Sequence, residues 1–297
     1  KLTLITTADP PNGSGDILDV ADGNDTIIAG TGADQITGGL GANIILGDQG
    51  LIRFAVSGER TEVRTTDHAF GADDPITSGA VNDVIMGGSG SDPIHAGAGA
   101  DIVLGDNGTL TYTNGKLTLI ETTDPNSGAA DTIDGEDGDD LIFGGTGADT
   151  VTGGLGNDIL IGDHGSIRFA SNGDRIEIAT VDTGSGGNDQ ITGAAGNDII
   201  LGGFGADTLS GNSGDDVILG DNGRLGYING QLTVIATIDP AIGDTDILNG
   251  DEGDDTLLGG AGADTINAAE GDNIGLGDNG QLTIDSASGH LVSAASI

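Results

Sequence analysis

Cysteine and tryptophan are absent, aromatic residues make up 2% of the chain, and only eight of its 297 residues are Lys or Arg. Without cysteine there is no disulfide framework and no thiolate metal site. The absence also suits a chain that crosses an envelope unfolded. Eight cations against 48 acids leave a formal net charge of -40, which argues against a nucleic-acid partner. No apolar run approaches the roughly 18 residues of a membrane span, and no N-terminal stretch reads as a signal peptide. With apolar residues at 35%, so acidic a chain repels itself and has little to bury. Left alone it would stay disordered.

What is abundant is glycine, at 58 residues, and aspartate, since only seven of the 48 acids are Glu. The two recur in phase. Gly144-Gly145-Thr146-Gly147-Ala148-Asp149-Thr150-Val151-Thr152 is followed by Gly153-Gly154-Leu155-Gly156-Asn157-Asp158-Ile159-Leu160-Ile161. Twenty such nine-residue units form five blocks of four, at 11–46, 69–104, 126–161, 184–219 and 241–276. Between and after them lie segments opening Gly-Asp-x-Gly, at 47–68, 105–125, 162–183, 220–240 and 277–297, with a partial one at 1–10. A chain that starts and stops inside such segments reads as a piece of a longer tandem array.

The intervening segments change period. Thr109–Thr113 and Lys116–Leu119 alternate apolar and polar around Asn114-Gly115, a strong hairpin signal. Ser166–Phe169 and Arg175–Ile178 form a similar pair. These arms alternate between a kind carrying Ile-Arg-Phe (52–54, 167–169) and a kind ending in Asp-Pro (124–125, 239–240). The full repeat is therefore two blocks and two arms, aligning Lys1 with Lys116 and Gln231, and Arg53 with Arg168. If each Gly-Asp-x-Gly turn is a fifth half-coil, successive arms leave from opposite sides of the stack. All eight cations (Lys1, Arg53, Arg60, Arg64, Lys116, Arg168, Arg175, Arg224) lie in arms. They protect exposed strands from stray pairing, or dock the arms on an acidic surface of this chain or a neighbour.

Within a unit, Gly at positions 1, 2 and 4 permits turn conformations closed to other residues. A strand of about three residues follows, with position 8 inward and positions 7 and 9 outward. Two units make one coil, and coils stack about 4.8 Å apart. Stacking sets Asp131 below Asp149, and two bare carboxylates at that spacing repel by roughly 1 to 4 kcal/mol. A divalent cation between turns reverses the sign, because calcium accepts six to eight oxygens, backbone carbonyls included.

The unit resembles the calcium-binding nonapeptide of RTX proteins, over all five blocks. The resemblance implies an all-β parallel β-roll (β-solenoid), here with regularly inserted β-hairpin arms. It implies calcium held between adjacent turns by position 6 and by carbonyls of positions 1 to 4. Position 6 is Asp16, Asp25, Asp34, Asn43, Asp74, Asp83, Asp92, Asp101, Asp131, Asp140, Asp149, Asp158, Asp189, Asp198, Asp207, Asp216, Asp246, Asp255, Asp264 and Asn273. Where position 6 would fall in the arms stand Ile52, Leu110, Ile167, Leu225 and Leu282, so each stack is expected to end at its arm. The Asp that follows the arm's opening glycine (Asp48, Asp106, Asp163, Asp221, Asp278) either replaces the lost ligand or hydrogen-bonds its own turn. At one ion per stacked pair, the ceiling is roughly three per block and about fifteen in all.

Nothing points to catalysis. His68, His95, His164 and His290 do not recur at equivalent places, and His164 fills a slot held elsewhere by Gln49, Asn107, Asn222 and Asn279, as a surface turn residue would. A calcium-bound carboxylate is a poor general acid. Ice binding needs outward ranks of Thr or Asn, and position 7 (Ile17, Thr26, Gln35, Ile44, Pro75, Val84) forms none. The expected function is a calcium-rigidified stalk or filament of a large secreted bacterial surface or matrix protein, exported by type I secretion. Copies would associate end to end, or sideways through arms. The alternative is a calcium-dependent folding module of a secreted enzyme or toxin.

Overall fold

The computed structural model describes residues 2–8 and 12–297; Lys1 and the start of the first block at position 11 lie outside them. Every regular element among the described residues is a β-strand. The nonapeptides give strands of mostly three residues, such as Gln35–Thr37 and Ile44–Leu46, because the glycine turn reclaims the chain after position 9. Successive units fall alternately into two parallel sheets of ten strands each. First and third units build an outer sheet, and second and fourth units a middle one. Position 8 of both points into the seam between them, where Ile36, Ile45, Ile85, Ile133, Ile142, Leu160, Leu209 and Leu257 are buried.

The expectation that positions 7 and 9 face outward holds only for the outer sheet, as with Gln35 and Thr37. In most strands of the middle sheet all three residues are apolar and covered, as in Ile44-Ile45-Leu46 and Ile159-Leu160-Ile161, while Thr26 and Thr256 stand at position 7 of two others. What covers them is the arms. Ile52, Val63, Leu110, Ile120, Ile167, Ile178, Leu225, Ile235 and Leu282 pack on Leu46, Met86, Leu104, Phe143, Ile161, Leu201 and Leu219 in a second core. The molecule is a three-layer stack of outer, middle and arm sheets.

The arms do not leave from opposite sides. All of them join one antiparallel sheet of eleven strands, in chain order, along the same face. The fifth half-coil does not exist. Ile36 pairs with Ile76 and Ile94 with Ile133, 40 and 39 residues on. One coil accounts for 18 of those residues, and the arm, 22 or 21 long, accounts for all the rest. Gly47 and Asp48 bond to Met86 and Gly87 just as Gly87 and Gly88 bond to Leu104 and Gly105. They are positions 1 and 2 of the next turn, and the hairpin interrupts that turn. Each arm is thus separated from the next by four half-coils, an even number. Two coils rise about 9.6 Å and two hairpin strands occupy about the same width, so one hairpin per four units tiles the third sheet without gap or overlap.

Nor do the arms project as free hairpins. Arg64 and Val63 of the first arm face Thr109 and Leu110 of the second. The Asn114-Gly115 and Asn229-Gly230 turns have both φ angles positive, as a two-residue hairpin requires. The two kinds of arm alternate because each contacts the other. Arg60 lies over Tyr112 and Arg175 over Tyr227, at 5.2 and 5.8 Å from the ring centres. The cations pair largely within the arm sheet. Arg53 reaches Glu62 at 3.1 Å, Arg224 reaches Glu177 at 2.9 Å, and Lys116 donates to the Ser171 carbonyl at 2.9 Å.

One hydroxyl fastens each arm to the next. Gly108, Gly165, Gly223 and Gly280 donate their N–H to Thr65, Thr122, Thr180 and Thr237 Oγ1 at 3.0–3.2 Å, all buried. Replacing Thr122 with Val keeps the shape and strands the Gly165 N–H. The expected cost is about 1–3 kcal/mol, read from chemical denaturation in calcium, with Thr122→Ser close to wild type.

Candidate metal centres

Position 6 residues stack into two ladders. On the edge that carries the arms, the N–H of each residue donates to Oδ1 of the next, through Asp16, Asp34, Asp74, Asp92, Asp131, Asp149, Asp189, Asp207, Asp246 and Asp264 at 2.6–3.1 Å. The arm-free edge runs likewise through Asp25, Asn43, Asp83, Asp101, Asp140, Asp158, Asp198, Asp216, Asp255 and Asn273 at 2.6–3.0 Å. The ladders pass every arm unbroken, so the stacks do not end there. Ile52, Leu110, Ile167, Leu225 and Leu282 are not vacated ligand positions; they are the apolar undersides of hairpins.

Oδ1 is satisfied; Oδ2 is not. Among the described residues, fifteen position 6 aspartates bury an Oδ2 with no hydrogen-bond partner: Asp34, Asp74, Asp92, Asp101, Asp131, Asp140, Asp149, Asp158, Asp189, Asp198, Asp207, Asp216, Asp246, Asp255 and Asp264. Each such oxygen is costly in a dry site. Most of them converge with a carbonyl on a glycine. A Cβ on Gly144 would stand 2.5 Å from Asp149 Oδ2 and 2.2 Å from the Gly162 oxygen. On Gly87 it would stand 2.3 Å from both Asp92 Oδ2 and the Gly105 oxygen. Glycine is needed there because the space a methyl would fill is bounded by acceptors from two coils. Only a cation or a proton can mediate between them, and an all-oxygen cage of carboxylate and carbonyls suits calcium.

Arm glycines complete the same cages. A Cβ on Gly47, Gly105, Gly162 or Gly220 would come within 2.5 Å of Asp74, Asp131, Asp189 or Asp246 Oδ2. The Asp after each of these four glycines accepts a hydrogen bond from its own turn, one of the two roles expected of it, and a second from the next coil. Asp163 accepts from Gly187 N–H at 2.8 Å and from Phe204 N–H, and Asp106 accepts from Ala129 N–H at 3.3 Å and from Thr146 N–H. It ties together the two coils that follow its arm, and Asp48 and Asp221 do the same. Asp278 is exposed.

Five predicted position 6 ligands stand apart. Asp16 is exposed and Asp25 half-buried. Asn43 and Asn273 turn Nδ2 onto the carbonyls of Gly38 and Ala268, at 3.1 and 2.9 Å. Sequence reasoning missed Ser78, whose hydroxyl donates to Asp83 Oδ2; its position 1 serine in place of glycine was the available signal. His164 is a buried residue, not a surface one, with Nε2 3.2 Å from Thr146 Oγ1, and burial pushes its pKa down. His68 bonds Asp124 at 2.9 Å, and His95 lies 3.6 Å from Glu136 on the exposed outer face.

Burial dominates the carboxylates. It pushes Asp74 and Asp140 up to about 8, and Asp149 and Asp158 to about 7, against backbone hydrogen bonds that pull the other way. Asp131 and Asp163 are raised by burial first and then by neighbouring carboxylates. A raised acid pKa means the metal-free fold holds protons that the unfolded chain, at 3.8, has released. The penalty is absent below 3.8 and grows as pH rises to about 8. In calcium-free buffer, β-structure followed by circular dichroism should therefore increase on acidification from about pH 8 to about pH 5. In saturating calcium the trend should reverse, since the ion needs ionised ligands.

The family profile of the RTX calcium-binding nonapeptide repeat (4 copies) matches residues 19–50, 77–109, 126–160, 183–209, 195–224 and 241–275, more than half of the chain. No curated protein matches it in a sequence search. Among the described residues, no helix is long and apolar enough to cross a membrane. Proteins with these repeats bind calcium, are typically secreted and usually leave by type I secretion. The repeat profile, the parallel β-roll and the two edges of oxygen cages agree, and the chain belongs to the RTX calcium-binding nonapeptide repeat family.

Proposed function

We propose that this chain is a structural segment, a calcium-rigidified stalk or filament of a large secreted bacterial surface or extracellular-matrix protein. The observation that carries the reading is the arm sheet, which crosses all five arm positions without a break and laces every block to the next. A module built only to trigger folding of an attached domain needs no such lacing. In this reading the segment performs no catalysis, and its carboxylates serve ions. About fifteen ions would cancel roughly 30 of the 40 negative charges. Extracellular calcium near the millimolar range would fill the cages, and cytosolic levels would leave the chain open for export. A calcium-dependent folding and secretion module of a secreted enzyme or toxin is the alternative; a protease, lipase or pore-forming domain in flanking sequence would favour it.

Small-angle scattering tests the calcium step. In excess chelator the radius of gyration should be about 60 Å, falling to about 20 Å as calcium is raised to about 10 mM, cooperatively, with magnesium a poor substitute. A chain equally compact in chelator would overturn the reading.

A further inference from the structure

The two edges of the roll are not equally built for cations. On the arm-carrying edge, eight successive cages from Asp74 to Asp264 have a glycine facing Oδ2. On the arm-free edge the same holds through blocks three and four, where a Cβ on Gly135, Gly153, Gly193 or Gly211 would lie 2.0–2.6 Å from the aspartate Oδ2. Between the first two blocks this edge changes character. Asn43 is buried and keeps the ladder bond through Oδ1, which accepts from Asp25 N–H at 3.0 Å. Its other atom is a donor, and it meets the Gly38 carbonyl at 3.1 Å. One coil on, Asp83 keeps the ladder bond from Asn43 N–H at 2.6 Å, and its Oδ2 is met by the Ser78 hydroxyl. Ser78 places a hydroxyl on the position held by glycine in most of the other cages, and by Ala29 and Ala96, which offer no donor, in those of Asp34 and Asp101. Asp83 is accordingly missing from the aspartates with an orphaned Oδ2.

We infer that these two adjacent rungs bind no calcium, and that an amide in one and a hydroxyl in the other do the work the ion does elsewhere. Two different chemical changes in consecutive coils supply the same missing item, a donor between acceptors. Each removes the need for a cation: Asn43 brings no negative charge, and the Ser78 hydroxyl satisfies the Asp83 oxygen. The seam joining the first and second blocks on this edge is closed by hydrogen bonds alone. Asn273, with Nδ2 at 2.9 Å from the Ala268 carbonyl, repeats the first device in the fifth block.

The inference rests on calcium binding by the remaining cages, and counting ions separates the two. Native mass spectrometry of the whole chain across a calcium titration gives the number bound at saturation. Ser78→Gly and Asn43→Asp should each raise it by one and the double variant by two. Asn43→Ala should leave it unchanged, and Gly135→Ser, which copies the Ser78 device into a regular cage, should lower it by one. Circular dichroism in calcium confirms that each variant folds. An unchanged count in folded Ser78→Gly and Asn43→Asp, or a loss of one ion in Asn43→Ala, overturns the inference while leaving the family reading intact. A wild-type chain that binds no calcium overturns the family reading itself.

Discussion

Everything in this structure turns on two oxygens facing each other across a dry gap. The aspartate of one turn and the carbonyl of the next both accept hydrogen bonds, and neither donates. Water is excluded by the stacking of the coils, and the glycine between them offers no side chain to intervene. Such an arrangement is unfavourable in a bare chain. It becomes a binding site once something positive enters, and the same few atoms then change from the weakest points of the fold to its strongest. The charge of the molecule, its glycine content and its thin apolar seam all follow from keeping those gaps open and acidic.

The second constraint is one of spacing. A roll of two sheets would leave the middle sheet with an apolar face in water, because most of its strands are apolar at three successive positions, as in Ile199-Ile200-Leu201. Hairpins of two strands cover that face when they recur every two coils, since both repeats advance by the same distance. The hairpin can be inserted without disturbing the roll because it enters inside a turn and returns to it. The arm's Gly-Asp pair stays in the coil, its glycine completing a cage and its aspartate gathering two turns. The cations sit in arms because that is the sheet with glutamates to pair with, as Arg53 and Arg224 do.

Much of this was legible in the amino acids. The nine-residue period, the position 6 ladder and the Asn-Gly hairpins are local signals, each fixed by a turn or strand of a few residues. What was not legible depended on long-range counting. Averaging all twenty units hid the alternation between polar strands such as Thr150-Val151-Thr152 and apolar ones such as Ile159-Leu160-Ile161, and with it the buried middle sheet. Treating Gly47-Asp48 as the start of an insert, and not as the first two residues of the next turn, added a half-coil and put the arms on the wrong faces. Ser78 is one of several residues that replace the position 1 glycine, and only the position of its hydroxyl beside Asp83 gives it meaning.

The hydrogen bonds of all three sheets run along the axis of the stack while the strands lie across it. Any two consecutive coils are therefore joined by three rows of bonds side by side, and the hairpin rows bridge the places where the covalent chain detours. Tension applied along the axis must open those rows together at one level before it can open the next. A stack of this kind resists stretching as a column of equal links, and its breaking strength is set by the poorest single level, whatever the total length.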